Sequence, residues 1–190
     1  MPNPSSLAVT DDPTNWLDHT RRVESPNSDD RPDGASIELI VLHGISLPPG
    51  QFGGTFVEDL FINRLNIAAH VSFTSLAGVR VSAHVFINRR GRITQFVAFD
   101  RRAWHAGVSQ WRGRPRCNDF SIGIELEGAD DRPYTNSQYA VLSRTIKTLF
   151  VRYPKLGRDT VVGHSEIAPG RKTDPGAFFD WKRLYSSLAD

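Results

Sequence analysis

The chain is poor in cysteine: its 190 residues include only Cys117. A single thiol forms no internal disulfide, so a disulfide-stapled scaffold is excluded and a reducing cytosol is compatible with the composition. A cysteine-rich zinc finger is excluded as well, because such sites use several thiolates. Any metal bound by this chain therefore needs histidine together with aspartate or glutamate.

Long apolar runs, a large charge imbalance and internal repeats are also missing. No apolar stretch approaches the roughly 20 residues that cross a bilayer, so no membrane partner is expected. Lysine and arginine total 23 against 21 acidic residues, and this net charge of +2 is too even for a dedicated nucleic-acid binder. Residues 1–10 have neither the basic nor the apolar segment of a secretory signal, so we expect a cytoplasmic protein.

Length and composition predict one globular domain. Apolar residues make up 39% of the chain and charged residues 23%, and a chain of this size buries about 70% of its unfolded surface. The first 36 residues hold five prolines, with aspartate and serine between them. We therefore expect residues 1–190 to form a single domain, with residues 1–36 as a loop-rich segment packed on it.

Hydrophobic patterning predicts strands and helices in mixed order, which is typical of an α/β or α+β sheet with helices packed on it. Strands are expected at residues 37–42, 81–88, 92–98, 121–127 and 160–163, with a hairpin at 89–91. Helices are expected at residues 55–64 and 136–153, the first capped by Thr55 and the second by Asn136 or Ser137. Strand 121–127 has one isoleucine- and leucine-rich face, and its other face carries Gly123, Glu125 and Glu127.

Two histidines, His43 and His164, directly follow predicted apolar strands. Residues at strand ends point into the crevices where α/β proteins place their sites. The loop after His164 holds Glu166, Lys172 and Asp174. Two neutral imidazoles and one carboxylate make a three-ligand zinc site with a fourth position open for a water, whose pKa such an ion lowers to about 7.

Two further side chains suit hydrolysis at such a site. Glu125 projects away from the apolar stripe of its strand and can take a proton from the water, and Lys172 can offset negative charge on a tetrahedral intermediate. Simpler structural interpretations exist for all of these residues. A strand-end histidine is commonly a hydrogen-bonded surface residue, Glu125 suits a solvated strand face, and Lys172 with Asp174 suits a surface ion pair of little energy.

Five segments carry longer motifs, and their order is specific. They are residues 41–50 (VLHGISLPPG), 80–84 (RVSAH), 103–109 (AWHAGVS), 117–128 (CNDFSIGIELEG) and 163–176, which contains GH, IAP and RKTDPG. Together they resemble the cytosolic 1,6-anhydro-N-acetylmuramoyl-L-alanine amidases of the AmpD type, a family related to phage zinc amidases and to peptidoglycan recognition proteins. The resemblance covers about residues 15–184, nearly the whole chain.

The resemblance implies a mixed α/β fold, with a central mixed β-sheet flanked by α-helices as in amidases and peptidoglycan recognition proteins. It implies one zinc ion per chain, bound by His43, His164 and Asp174, with Glu125 as the general base and Lys172 as the cationic stabiliser. It also implies hydrolysis of the amide between (1,6-anhydro-)N-acetylmuramic acid and L-alanine during cell-wall recycling. The expected partner is an anhydromuropeptide, and the expected state is a monomer.

Four residues are candidates for substrate contacts. Arg80 and Arg116 fall where the family grips its substrate, and arginine suits bidentate recognition of carboxylates. Trp104 and His105 lie in a glycine-containing loop, where both a groove wall in contact with substrate and plain packing are open interpretations. Gly44 departs from the family, which often has asparagine after the first zinc histidine, so a side-chain contact to substrate is expected to be missing there.

Other residues have structural interpretations. His84 lies on a predicted strand and is expected to be a hydrogen-bonded structural histidine. Cys117, with only Arg116 as a basic neighbour, is expected to be a structural thiol. Ser165 and Glu166 replace the Cys-Asp pair usual in the family, and neither is a ligand in this interpretation, so little effect on the chemistry is expected.

Two other functions compete with cytosolic hydrolysis. Some proteins of this fold bind muropeptides without cleaving them, and these typically lack one metal ligand, whereas all three candidate ligands are present here. An exported amidase that acts on intact cell wall is the second alternative. The missing secretory signal favours the cytosolic enzyme over it.

Overall fold

A computed structural model of the chain describes residues 15–189, and within this range it has ten strands and four α-helices. The strands are β1 (Arg21–Arg22), β2 (Ser28–Asp30), β3 (Leu39–Ile45), β4 (Val85–Ile87), β5 (Ile93–Gln95), β6 (Arg101–Ala103), β7 (Gln110–Trp111), β8 (Arg114–Pro115), β9 (Ser121–Glu127) and β10 (Val161–Gly163). The helices are α1 (Phe56–Phe61), α2 (Asn136–Arg152), α3 (His164–Ile167) and α4 (Trp181–Ser187). Within residues 15–189, no helix has the length and apolar character that crossing a membrane requires.

Six strands form a central mixed sheet in the order β1-β5-β4-β9-β3-β10. The β4–β5 pair is antiparallel, and the other neighbouring strands of this sheet run parallel. Strand β3 pairs with β9 along its whole length, from Leu39 opposite Ser121 to Ile45 opposite Glu127. This architecture confirms the expected mixed α/β fold with helices packed on a central sheet.

One face of the sheet is buried against α2. Ile122, Ile124 and Leu126 of β9 belong to the same core cluster as Leu142 of α2. Because side chains alternate along a strand, Glu125 projects from the opposite face. The predicted division of β9 into an apolar face and a second face that carries Glu125 is therefore confirmed.

The predicted position of His43 needs a correction. We expected the strand to end just before this residue, but β3 continues to Ile45 because its pairing with β9 continues that far. The prediction for His164 holds, since this residue directly follows β10, but the chain then forms helix α3 rather than a loop. Glu166 stabilises this helical turn by accepting a hydrogen bond from the Gly163 N–H (2.8 Å).

The predicted hairpin and helices are present, but their lengths differ from the predictions, and the predicted cap of the second helix, Asn136 or Ser137, is wrong. The predicted hairpin is present as β4 and β5, both shorter than expected, with Gly91 at a φ of 74° in the connecting turn. Helix α1 ends at Phe61, earlier than predicted. The N-cap of α2 is Thr135, because its hydroxyl accepts from the Gln138 N–H and the Gln138 side chain accepts from the Thr135 N–H.

The N-terminal segment contributes strands as well as loop. Its residues 1–14 lie outside the described residues. From there on, β1 pairs with β5 and β2 pairs with β6. Arg31 donates to the carbonyls of Phe99, Asn118, Asp119 and Ser121. This side chain therefore fastens the segment to the loops beside the sheet.

Candidate active site

Three side chains from distant parts of the chain converge beside the sheet. His43 Nδ1 lies 2.9 Å from His164 Nδ1 and 3.2 Å from Asp174 Oδ2, and His164 Nδ1 lies 3.1 Å from the same oxygen. Both histidines are buried, and Asp174 is partly buried. These are the three predicted ligands, and together they form a group able to hold one metal ion.

Strand pairing and one loop bring the three residues together. Because β10 ends at Gly163, beside Leu42 of the parallel strand β3, His164 directly after β10 lies at the same level as His43 within β3. The loop after α3 returns to this point, where the Ser165 N–H donates to the Asp174 carbonyl (3.0 Å). The carboxylate of Asp174 therefore arrives next to both imidazoles.

The geometry fits a tetrahedral zinc site. Zinc bonds of about 2.0–2.1 Å to nitrogen and oxygen place two tetrahedral ligands about 3.3 Å apart. The shortest of the three separations is 2.9 Å and the longest is 3.2 Å. Two imidazoles and one carboxylate are also a donor set typical of zinc sites that keep a fourth position open.

The proton position on His164 supports a cation at the same point. Its Nε2 lies 3.1 Å from the carbonyl oxygen of Ala106, which only accepts, so Nε2 carries the proton. Nδ1 then presents a lone pair to the Asp174 carboxylate 3.1 Å away. Two lone-pair atoms at this distance repel each other unless a positive charge lies close to both.

The surroundings adjust the charges of the ligands. Burial lowers the pKa of His43 to about 4, although the neighbouring Asp174 acts in the opposite direction, so the imidazole is neutral near pH 7. Neutral imidazoles and an ionised carboxylate are the forms that bind a metal.

Glu125 lies beside this cluster. It is the register partner of His43 in the β3–β9 pair, so both side chains project from the same face. Among residues 15–189, its Oε2 atom is buried and has no hydrogen-bond partner. Burial, helped by the negative charge of Asp174, raises the pKa of Glu125 well above its ordinary value. A buried carboxyl with a free oxygen and a raised pKa is suited to accept and return a proton.

Lys172 lies within electrostatic reach of the same groups. Its side chain is exposed, and its positive charge acts against the raised pKa of Glu125 and adds to the lowered pKa of His43. The ammonium group is therefore exposed to solvent and close enough to influence the charges of both groups. This placement suits a cation that faces a bound substrate.

The two predicted substrate arginines lie in different surroundings. Arg116 is exposed, has a left-handed backbone (φ 63°) and pairs with Asp119 (3.2 Å). Its N–H donates to the Ser109 carbonyl, which places it beside the loop that contacts His164 through Ala106. Arg80 is also exposed and borders a small cavity of about 160 Å³ on the part of the fold formed by α1 and the segment after it.

Trp104 and His105 are held by protein contacts. The Trp104 indole N–H donates to Asp29 Oδ1 (3.0 Å), so one edge of the ring is anchored to the N-terminal segment. His105 is only 9% exposed, and its Nδ1 lies 3.0 Å from His43 Nε2. The imidazole therefore lies buried behind the candidate ligand His43, which fits the packing interpretation and not the groove wall.

Gly44 leaves room for a tyrosine. A Cβ at this position would lie 2.3 Å from the Tyr134 hydroxyl, which donates to the Pro175 carbonyl (2.9 Å). Tyr134 is buried and packs beside the residue that follows Asp174. The glycine expected to lack a substrate contact thus has a packing role next to the site.

The other residues singled out earlier are structural. His84 is fully buried: its Nδ1 accepts from the Gly123 N–H and its Nε2 lies 3.0 Å from the Arg101 carbonyl, so the expectation for it is confirmed. Cys117 is buried and free, and burial raises the pKa of its thiol. A thiol of this kind is mostly protonated and therefore a poor nucleophile near neutral pH.

Sequence reasoning missed three residues that support the ligands: Ala106, Asn118 and Arg171. The Ala106 carbonyl accepts from His164 and from Arg171 (2.7 Å), and Asn118 Oδ1 accepts from the main-chain N–H of Ala106 (2.8 Å). All three fall inside the motif segments, so their positions could have been noticed from the sequence. Alanine, asparagine and arginine are not typical metal ligands, however, so nothing distinguished them from the other residues of these segments.

The fold and the cluster together define a mixed α/β domain with a candidate metal site of two histidines and one aspartate and a buried carboxyl group beside it. The chain belongs to the N-acetylmuramoyl-L-alanine amidase family, whose model matches residues 33–177. This confirms the predicted AmpD-type resemblance.

Individual relatives agree with this assignment. The chain is 53% identical over 174 residues to the 1,6-anhydro-N-acetylmuramyl-L-alanine amidase AmpD of Salmonella typhimurium (strain SL1344), covering 92% of each chain. A crystal structure of a selenomethionine AmpD derivative matches with a TM-score of 0.90 and 51% identity, over 92% of this chain and 97% of that one. Escherichia coli AmiD, in complex with anhydro-N-acetylmuramic acid-L-Ala-D-gamma-Glu-L-Lys, matches with a TM-score of 0.60 and 30% identity, over 83% of this chain and 60% of that one.

Proposed function

We propose that this protein is a zinc-dependent amidase that hydrolyses the bond between 1,6-anhydro-N-acetylmuramic acid and L-alanine in soluble muropeptides. The observation that carries the proposal is the convergence of His43, His164 and Asp174 at 2.9–3.2 Å beside the unpartnered carboxyl of Glu125. The names of the AmpD relatives and the substrate in the AmiD complex support the substrate class. The proposed setting is cell-wall recycling in the cytoplasm.

His43 and His164, each through Nδ1, and Asp174, through Oδ2, would hold the ion. When bound, zinc supplies a Lewis acid that polarises a carbonyl and makes a water more acidic at neutral pH. The second ring nitrogen of each histidine, Nε2, is held by the protein. His164 Nε2 donates to the Ala106 carbonyl, and His43 Nε2 contacts His105, so each Nδ1 stays turned towards the ion position. No other residue types are needed to complete a three-ligand site.

Glu125 acts as the general base and then as the general acid. Its free Oε2 takes a proton from the attacking water as the new carbon–oxygen bond forms at the amide carbonyl. The burial that raises the pKa of this carboxyl lets it hold the proton until the amide C–N bond breaks. It then gives the proton to the leaving amine of L-alanine and returns to its starting state.

Lys172 stabilises the charge that develops on the carbonyl oxygen. An ammonium group near a tetrahedral intermediate offsets its negative charge, and this effect is larger in the transition state than with the bound substrate. We propose that Arg116, which is exposed and pairs with Asp119, binds a carboxylate of the peptide stem, and that Arg80 makes a more distant contact.

The same residues argue against one of the two alternatives. A muropeptide-binding module without catalysis has no use for a complete ligand triad with a buried, unpartnered carboxyl beside it. An amidase acting on intact wall has the same site but a different substrate. Substrate choice therefore has to be measured with soluble and polymeric substrates side by side.

The test combines metal analysis with product analysis. The purified chain is assayed for bound zinc, and an anhydromuramoyl tripeptide and intact sacculi are incubated with it and analysed by mass spectrometry. We expect about one zinc per chain and release of free tripeptide from the soluble substrate, with little release from sacculi. A zinc-free protein that binds the substrate unchanged would support the binding module, and preferential release from sacculi would support the wall amidase.

A further inference from the structure

Two consecutive residues contact the far sides of both ligand histidines. His43 Nε2 lies 3.0 Å from Nδ1 of His105, and His164 Nε2 lies 3.1 Å from the carbonyl oxygen of Ala106. In both ligands, Nδ1 faces the metal position and Nε2 faces the loop. The loop therefore meets the two nitrogens that decide which tautomer each ligand adopts.

The hydrogen bonds allow one consistent assignment of protons. A metal at His43 Nδ1 requires a lone pair there, so the proton lies on Nε2 and is donated to His105 Nδ1. His105 then carries its own proton on Nε2, which lies 3.1 Å from the hydroxyl oxygen of Ser121, an acceptor. In this assignment His43 and His105 are both neutral, and each of their ring nitrogens is either a hydrogen-bond donor or a lone-pair acceptor.

The position of the His105 ring is fixed from several sides. The main-chain N–H groups of His105 and Ala106 donate to Asn118 Oδ1 at 3.2 and 2.8 Å. Below the ring lies Gly123 of β9, where an added Cβ would be 2.4–2.7 Å from three atoms of the imidazole. Arg171 also donates to the Ala106 carbonyl at 2.7 Å. A glycine inside a central strand weakens the strand, and the ring that rests on it gives a reason for its presence.

We propose that His105 is a positioning residue, which accepts a hydrogen bond from His43 and thereby holds its Nδ1 lone pair towards the metal. The inference rests on the proposed zinc site. Partners of this kind fix the tautomer and orientation of a ligating histidine, and their loss typically weakens metal binding by about 10- to 100-fold. In this role His105 lies on the far side of His43 from the substrate.

The experiment compares His105→Phe with His105→Asn. Phenylalanine keeps a ring of similar size but removes the acceptor, while Asn places an oxygen at the position of Nδ1. Zinc affinity is measured by competition with a chromophoric chelator, and the folding of the metal-free proteins is checked by circular dichroism and thermal unfolding. We expect zinc to bind about 10- to 100-fold more weakly to His105→Phe and within a few-fold of the parent to His105→Asn.

A matched control is available in the same cluster. His84 is also fully buried, with its ring 5.8 Å from that of His105, but its ring nitrogens contact Gly123, Arg101 and Arg31 and not a candidate ligand. His84→Phe is expected to lower stability and to leave zinc affinity close to that of the parent. Gly123→Ala, which displaces the His105 ring without changing its chemistry, is expected to weaken zinc binding and provides a second variant if His105→Phe does not fold.

The outcomes separate this inference from the proposed function. If the parent binds zinc and hydrolyses the anhydromuramoyl tripeptide, and His105→Phe binds zinc as tightly as the parent, the positioning role alone is overturned. Equal loss of affinity in His105→Phe and His105→Asn also overturns it, because the acceptor would then be irrelevant. A parent chain that binds no zinc overturns both the inference and the proposed function.

Discussion

Replacing Glu125 by glutamine tests the central chemical role in the site. The amide has nearly the shape of the carboxyl but cannot accept a proton, and Glu125 is not one of the three ligands. We therefore expect Glu125→Gln to bind zinc as tightly as the parent and to lose about 100- to 10,000-fold in kcat. This loss corresponds to about 3–5 kcal/mol of transition-state stabilisation.

The same substitution has an expected effect on stability with a definite sign. The pKa of Glu125 is raised in the folded protein, by burial first and by the charge of Asp174 second. Above the ordinary pKa of 4.5 the folded state therefore binds more protons here than the unfolded state, and stability falls as the pH rises through this window. Glutamine does not titrate, so metal-free Glu125→Gln does not lose this stability. Its free energy of unfolding minus that of the parent should therefore increase with pH, by at most about 1.4 kcal/mol per pH unit.

The two effects are measured separately. Tripeptide release from the anhydromuramoyl substrate gives kcat, chelator competition gives zinc affinity, and urea unfolding of the metal-free proteins at pH 5, 6, 7 and 8 gives the stability difference. Normal turnover by Glu125→Gln would refute the general-base role. A stability difference that does not change between pH 5 and 8 would refute the argument that this carboxyl is forced towards its neutral form.

Three further predictions concern the neighbouring residues. His43→Ala and Asp174→Ala should each lose zinc in metal analysis, and full occupancy in either variant would remove that residue from the ligand set. Lys172→Met should keep zinc and lose about 100- to 1,000-fold in kcat; an unchanged kcat would show that its charge does not act on the transition state. Burial, with the charge of Arg31, lowers the pKa of His84 to about 3. The unfolded state therefore takes up a proton first, and stability should fall as the pH drops from about 6.5 towards 3, by at most about 1.4 kcal/mol per pH unit; His84→Asn should flatten this slope in urea unfolding.

Much of the sheet could be predicted because its signals are local. The alternation in residues 121–127 predicted β9 with the bounds that the structure has, and the apolar stripe of residues 136–153 predicted α2. Strand ends were predicted less well. The end of β3 depends on how far its partner β9 continues, and no signal within residues 37–45 gives that length.

The candidate ligands were also found from the sequence, but their supporting residues were not. His43, His164 and Asp174 carry chemistry in their residue types, so motif and type together single them out. Ala106 acts through a main-chain carbonyl, which every residue has. For His105 the sequence left a groove wall and plain packing open, because a glycine-containing loop suits both, and its burial in the structure fits packing.

By itself, the sequence determined which strand faces are apolar, which residues can bind a metal and to which family the motifs are similar. The tertiary structure alone decided that the Nδ1 atoms of His43 and His164 face Asp174, that Glu125 has a free oxygen, and that His105 lies behind a ligand. The physical reason is the separation along the chain of the residues that interact. Hydrophobic alternation is set by neighbours along the chain, whereas a hydrogen bond or a ligand set depends on distances of about 3 Å between residues as far apart as 121 positions.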